Sequence, residues 1–245
     1  MNARLSAVVV MAVLALAGCS SSTPTGSTTA GPSEPVKLAV KTSATVALLW
    51  THMGTAIGGA QASYVAHVTN PGSVPASVTL NVNALDSSGT IVGSEQQTLP
   101  LGAHESFDYY GDLGGTGFSQ LTGKPAKVQV SATTGTLTQA TSPNLQTSQL
   151  ALTSGHPQDS FTNAPYAYNM TVRVTNSTGH TITDGVTQQV ILYDAAGHIV
   201  GGGTGSSDNV PASLPAGASY REQWTGIPAQ QPAASARYMV LGPQE

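Results

Sequence analysis

The chain has a single cysteine, Cys19, and so no internal disulfide. An exported protein made this way must hold together by packing alone. Charge is scarce as well: Asp, Glu, Lys and Arg make up 8% of the residues and the formal net charge is −4. With so few cations there is no basic stripe to attract nucleic acid, and no nucleic-acid partner is expected. Aromatics are only 5%. Past the N-terminus no apolar run is long enough for a bilayer-spanning helix, and no amphipathic helical period separates the strand-like segments, which removes the parallel α/β folds. What is abundant is Gly, Ser, Thr and Ala, a composition suited to β-rich exported proteins. The 245 residues leave room for two domains of about 100 residues each.

The N-terminus is the most specific stretch. Arg4 supplies a positive start, Ala7 to Ala15 is an apolar run too short to span a bilayer, and small residues close it, the pattern of a signal peptide over residues 1–18. The closing Leu16-Ala17-Gly18-Cys19 resembles the lipobox of bacterial lipoproteins. The resemblance implies that Cys19 is the first mature residue and carries the lipid, which places the protein on the extracytoplasmic face of the cell membrane. Each acyl methylene buried in the bilayer contributes roughly 0.8 kcal/mol, so two or three chains anchor a protein without a transmembrane helix. Residues 19–36 are dominated by Ser, Thr, Gly and Pro and read as a disordered tether.

Beyond the tether the chain is written twice. "SYVAHVTN" and "YNMTVRVTN" alternate with period two, Tyr64, Ala66 and Val68 inward in the first and Tyr168, Met170, Val172 and Val174 inward in the second, with Val65, His67 and Thr69 outward. "SVTLNVNALD" and "GVTQQVILYD" follow, the second with Gln188 interrupting its apolar series. Each leads into a turn, Asp86 to Gly89 and Asp194 to Gly197, where the Asp side chain accepts backbone N–H groups and Gly takes a positive φ. A longer loop is expected next in both copies, ending at Leu99 to Ala103 and Leu214 to Ala218. Strands bearing Phe107, Tyr109 and Tyr110, or Tyr220 and Trp224, come after, and one further strand closes each copy.

Short strands separated by Gly, Pro, Asn and Asp turns predict an all-β fold of two tandem antiparallel sandwiches, residues 37–135 and 136–245, because each sheet must cover its apolar face with another. The second copy, through Val190-Ile191-Leu192-Tyr193-Asp194, the Gly197 turn and the Leu-Pro-Ala-Gly loop, resembles the FxLYD domain, an immunoglobulin-like module of bacterial surface proteins and lipoproteins. Val190 stands where that motif has an aromatic, and the first copy matches it less closely. The resemblance implies immunoglobulin-like sandwiches at a cell surface and brings no catalytic residues with it.

Candidate chemistry is sparse. His52, His67, His104, His156, His180 and His198 are scattered, without the spacing of a zinc or copper site. His52-Met53 is the one soft-ligand pair and the seed of an alternative reading, an extracytoplasmic copper or small-molecule carrier. No Gly-x-Ser-x-Gly elbow marks a hydrolase, which ranks third. Gly201 to Gly205 lacks the Lys and helix of a phosphate loop and reads as a mobile loop. Asp86 and Asp194 are turn residues, too few in carboxylates for calcium. Trp50, Trp224 and the Tyr109-Tyr110 pair read as core aromatics, with a surface binding patch as the alternative. The expectation is a non-catalytic binding module that needs no cofactor and meets an envelope protein or polymer.

Overall fold

The computed structural model describes residues 44–115, 120–136, 145–160, 162–183, 186–205 and 210–241. The expected signal peptide, the tether and Cys19 lie outside them. Among the described residues there is no α-helix, only a 3-10 turn at Pro157–Asp159, and no helix is long and apolar enough to cross a membrane.

The described residues form twelve strands, in order β1 (Thr45–Ala56), β2 (Gly59–Thr69), β3 (Ala76–Leu85), β4 (Ile91–Leu101), β5 (Ser106–Gly114), β6 (Lys127–Thr136), β7 (Gln146–Ser154), β8 (Tyr166–Thr175), β9 (Thr187–Tyr193), β10 (Ile199–Gly205), β11 (Ser219–Ala229) and β12 (Ser235–Leu241). All of their pairings are antiparallel. Two sheets have the orders β1-β2-β5 and β4-β3-β6, and a six-stranded sheet runs β12-β9-β10-β11-β8-β7. That last sheet is joined across β10 and β11 at Gly201 and Ala229. Divided there it becomes β7-β8-β11 and β10-β9-β12, so the last six strands repeat the order of the first six.

The reason is the alternation. In β3 every second residue from Ala76 to Ala84 is buried, and in β8 Tyr168, Met170, Val172 and Val174 are buried while Arg173 is exposed. Each set of six strands is layered sandwich-like on its apolar faces, giving two clusters. The first holds Tyr64, Val68, Leu80, Leu99, Leu101, Phe107 and Leu113, the second Met170, Val174, Val190, Leu192, Ile227 and Val240.

The ends of β2 and β8 are closed in the same way. Asn70 and Asn176, both fully buried, follow Val-Thr in each strand. Asn70 donates from Nδ2 to the carbonyls of Val74 (2.9 Å) and Gly102 (2.8 Å) and accepts from the Gly72 amide (3.0 Å). Asn176 donates to His180 O (2.9 Å) and Leu214 O (2.8 Å) and accepts from the Thr178 amide (2.9 Å). A side-chain amide supplies both a donor and an acceptor, so one buried residue satisfies the backbone of two loops.

Three expectations need correction. Val65 is fully buried rather than outward, because the face of β2 opposite the first core is covered by the second set of strands: Ile191 and Met239 belong to the first apolar cluster. Residues 91–101 form strand β4 rather than a loop, with Leu99 and Leu101 paired to Val78 and Ala76. Gly201 to Gly205 is part of β10, not a mobile loop. There Gly201 packs against a backbone, since a Cβ would stand 2.2 Å from Pro228 O, and Gly202 underlies a ring, since a Cβ would stand 2.8 Å from Tyr110 Cδ2. Glycine within a strand marks such close approach.

Candidate functional site

Three strands of the first sheet set side by side residues that are far apart in sequence. Trp50 pairs with Val65 and Val65 with Tyr110; His52 pairs with Ser63 and Ser63 with Asp112. Directly paired residues project from the same face, so the two rows lie together on the side of the sheet opposite Tyr64, Ala66 and Tyr109. A register shift between Leu48 and Trp50 marks a bulge in β1 just before the first row, the usual means by which a strand re-aims a side chain. Trp50 stacks on His52 (6.2 Å between centroids, 21°) and on Tyr110 (6.4 Å, 28°). Gly54 leaves room for the imidazole, as a Cβ there would come within 2.7 Å of His52 Nε2.

This face forms one wall of a cleft of about 220 Å³. The opposite wall is Thr162, Asn163, Ala164, Gly201, Pro228 and Gln230. The walls are tied at one end, where Thr162 bridges to Ala56. The Asn163 amide donates to Thr55 O (3.1 Å) and its Nδ2 to Thr55 Oγ1 (2.6 Å). Deeper, Tyr110 N donates to Gln189 Oε1 (3.1 Å), and Gln189 Nε2 donates to Asp108 O (2.5 Å).

Asp112 lies buried beneath the cleft. Ser63 Oγ donates to its Oδ1 at 2.5 Å, and the Tyr110 hydroxyl donates to the same oxygen at 3.3 Å. Burial pushes the Asp112 carboxyl up to about 6, although its hydrogen bonds from Ser63, Tyr110 and Gln61 pull the other way. Burial also lowers His52 from its ordinary value, which leaves the imidazole neutral at pH 7. The Tyr110 phenol is raised by burial and stays protonated.

The chemistry available follows from these bonds. Ser63 donates a hydrogen bond to the Asp112 carboxylate, which also accepts from Tyr110 and Gln61. The side chains lining the cleft are uncharged. Gln61, Asn163, Gln230, Ser63, Thr55 and Thr162 carry amides and hydroxyls that both donate and accept, and Trp50 adds an aromatic surface.

His52 and Met53 both border this cleft but leave β1 in opposite directions, as successive strand residues do. His52 joins the aromatic row of Trp50, and Met53 packs against the first cluster, as Trp50 also does. No group of three or more His, Cys, Asp or Glu that could hold a metal occurs among the described residues. Asp86 Oδ1 accepts from the amides of Ser88 (2.8 Å) and Thr90 (2.9 Å), and Asp194 Oδ1 from those of Ala196 (2.8 Å) and His198 (2.9 Å). Both carboxyls are held below their ordinary range, Asp86 chiefly by the Ser88 hydroxyl and Asp194 chiefly by the His198 amide. Gly89 and Gly197 close these turns at φ 86° and 85°. Tyr109 and Tyr110 both belong to the first cluster, as expected of core aromatics, and Trp50 packs against it; Tyr110 and Trp50 also border the cleft, and Trp224 meets Tyr238 edge-on in the second set of strands.

Ser63, Gln61 and Asp112 escaped the sequence reading. Gln61 and Ser63 occupy alternate positions among the small and apolar residues that begin β2, and Asp112 interrupts an aromatic and apolar run, so the trace was a polar set on a face expected to be plain surface. No protein-family model matches the chain, and no curated protein matches it in sequence.

Proposed function

We propose that the chain is a non-catalytic, lipid-anchored module of the cell envelope. In this reading two tandem immunoglobulin-like sandwiches, residues 37–135 and 136–245, stand on a tether from lipidated Cys19. The cleft beside Trp50 takes an uncharged, hydroxyl-bearing unit of an envelope polymer. The observation that carries the reading is the cleft lining: three amides and four hydroxyls, each able to donate and accept, set beside an indole and without a charged side chain. Hydroxyl-rich ligands present donors, acceptors and apolar C–H faces together, the complement of such a wall. Repetition of strand order, of the buried Asn and of the Asp turn supports the tandem arrangement. The likeness of Val190 to Asp194 to the FxLYD motif supports the domain type. A copper carrier has less support, because successive strand residues such as His52 and Met53 leave β1 on opposite faces.

Two experiments test the proposal. Palmitate labelling of cells should be abolished by Cys19→Ala, and label that persists rejects the anchor. The exported chain carrying Cys19→Ala should sediment with isolated envelope polymer, and Trp50→Ala or Gln230→Ala should release it. Sedimentation indifferent to both substitutions, or product release that stops on Ser63→Ala, overturns the binding reading.

A further inference from the structure

The ladders β2-β5 and β8-β11 end alike: Thr69 pairs with Ser106, and Thr175 with Ser219, with hydroxyls 3.1 Å and 2.9 Å apart. Two residues in from each end the copies diverge. In the first, His67 faces Asp108, and His67 Nδ1 lies 2.6 Å from the carboxylate. In the second, Arg173 faces Arg221. Like charges directly opposite on an antiparallel pair destabilise it, with Cβ atoms only about 4.5–5.5 Å apart. The chain has just 8 Lys and Arg in all, yet two of them are set against each other here, both exposed. Among the described residues neither guanidinium has a carboxylate partner; Arg221 donates to Thr171 Oγ1 at 3.2 Å.

The pair also borders a depression of about 240 Å³ lined by Gln149, Arg173, Ser219, Tyr220 and Arg221. Gln149 sits within the irregular pairing between Ser148 and Ala151 and has φ 53°. A non-glycine residue in that region costs of order 1 kcal/mol or more and clusters at functional positions. Its amide, the two guanidinium forks and the Ser219 hydroxyl offer donors around one hollow.

We propose that the exposed face of β7, β8 and β11 is an oxyanion site, in which Arg173 and Arg221 together hold a phosphate group. The group takes the place that Asp108 fills in the first copy. Two planar forks can grip separate oxygens of a tetrahedral phosphate, and its charge cancels the repulsion between them. The group is the phosphate of a lipid headgroup or of a soluble phosphate ester. The site is independent of the cleft beside Trp50.

Thermal unfolding of the full chain in inorganic phosphate, against chloride at matched ionic strength, tests it. At ten times its dissociation constant phosphate should raise the midpoint by about 3–6 °C. Arg173→Gln and Arg221→Gln should each abolish the rise; both positions are exposed, and either variant alone suffices. No rise in the parent protein, or the same rise in both variants, overturns the proposal. A second arm uses the exported chain carrying Cys19→Ala and vesicles of phosphatidylglycerol or of phosphatidylcholine. Arginine-dependent retention on phosphatidylglycerol alone identifies a headgroup, whereas an arginine-dependent phosphate shift without vesicle retention identifies a soluble phosphate ester.

Discussion

The first and last six strands share an order but fill their interiors by opposite means. On β2 the bulky residue is Tyr64, and its partner on β5 is Gly111; a Cβ at Gly111 would come within 2.3 Å of the Tyr64 hydroxyl. On β8 the same place is Met170, and its partner on β11 is Trp224. The third member changes in step. Glu95 on β4 accepts a hydrogen bond from Tyr64, while Gly203 in the matching place on β10 lies beneath Trp224. Likewise Leu80 fills the first core where Gln188 sits in the second, donating to Glu222 Oε2 (3.0 Å) and accepting from Trp224 Nε1 (3.2 Å). Topology is kept by the total filling of each interior, not by any one residue, which is how cores tolerate concerted substitution.

Breaking the apolar member should cost most. Leu80→Ala is expected to destabilise by about 2–5 kcal/mol in chemical denaturation, through lost burial plus a cavity. Copying the first core into the second with Gln188→Leu should also destabilise, because Glu222 loses a donor; a gain would show that the polar cluster is dispensable. Next is Asp112. Its folded value of about 6 stands above the ordinary 3.8, so the native state holds its proton more tightly than the unfolded chain. Its contribution to stability is therefore full below pH 4 and is lost as pH rises through 6, by about 3 kcal/mol. Glu95, raised by burial, acts with the same sign. Asp112→Asn should raise the midpoint at pH 7.5 and flatten the slope between pH 4 and 6, which a pH series of melts will read.

The glycines give a smaller contrast. Gly111→Ala should cost about 1–3 kcal/mol from overpacking, whereas Gly203→Ala, whose Cβ would meet Trp224 at 3.4 Å, should change the midpoint far less. Smallest is Arg221→Asp, which installs the first copy's charge arrangement opposite Arg173. A gain of about 0.2–1 kcal/mol, lost at high salt, is expected for an exposed pair.

Much of the fold was legible, and the exceptions share one cause. The alternation of β3 and β8 and the Asp-x-x-Gly turns are local, and each identifies its strand or turn without knowledge of a partner. Gln188 looked like a break in the pattern but keeps the period, a polar residue facing inward because Glu222 and Trp224 meet it there. Val65 and Gly201 to Gly205 were misread because what covers them comes from the other end of the chain: Tyr110, Gln189 and Ile191 meet across the two sets of strands. The cleft was invisible for the same reason. His52, Ser63 and Asp112 become neighbours through strand register, and no spacing in the sequence encodes that.

The join at Gly201 and Ala229 has a mechanical consequence. Gly201 and the adjacent Pro228 also form part of the far wall of the cleft, so that wall is main chain stitched into a continuous sheet. The near wall is β1, paired along one side to β2 and held on the other at its end, where Thr55 and Ala56 meet Asn163 and Thr162. A visitor would therefore press against a fixed jaw and be fitted by a more yielding one, and amide exchange should be slow at Ala229 and faster at those amides of β1 that face away from β2, short of the tie at Thr55 and Ala56.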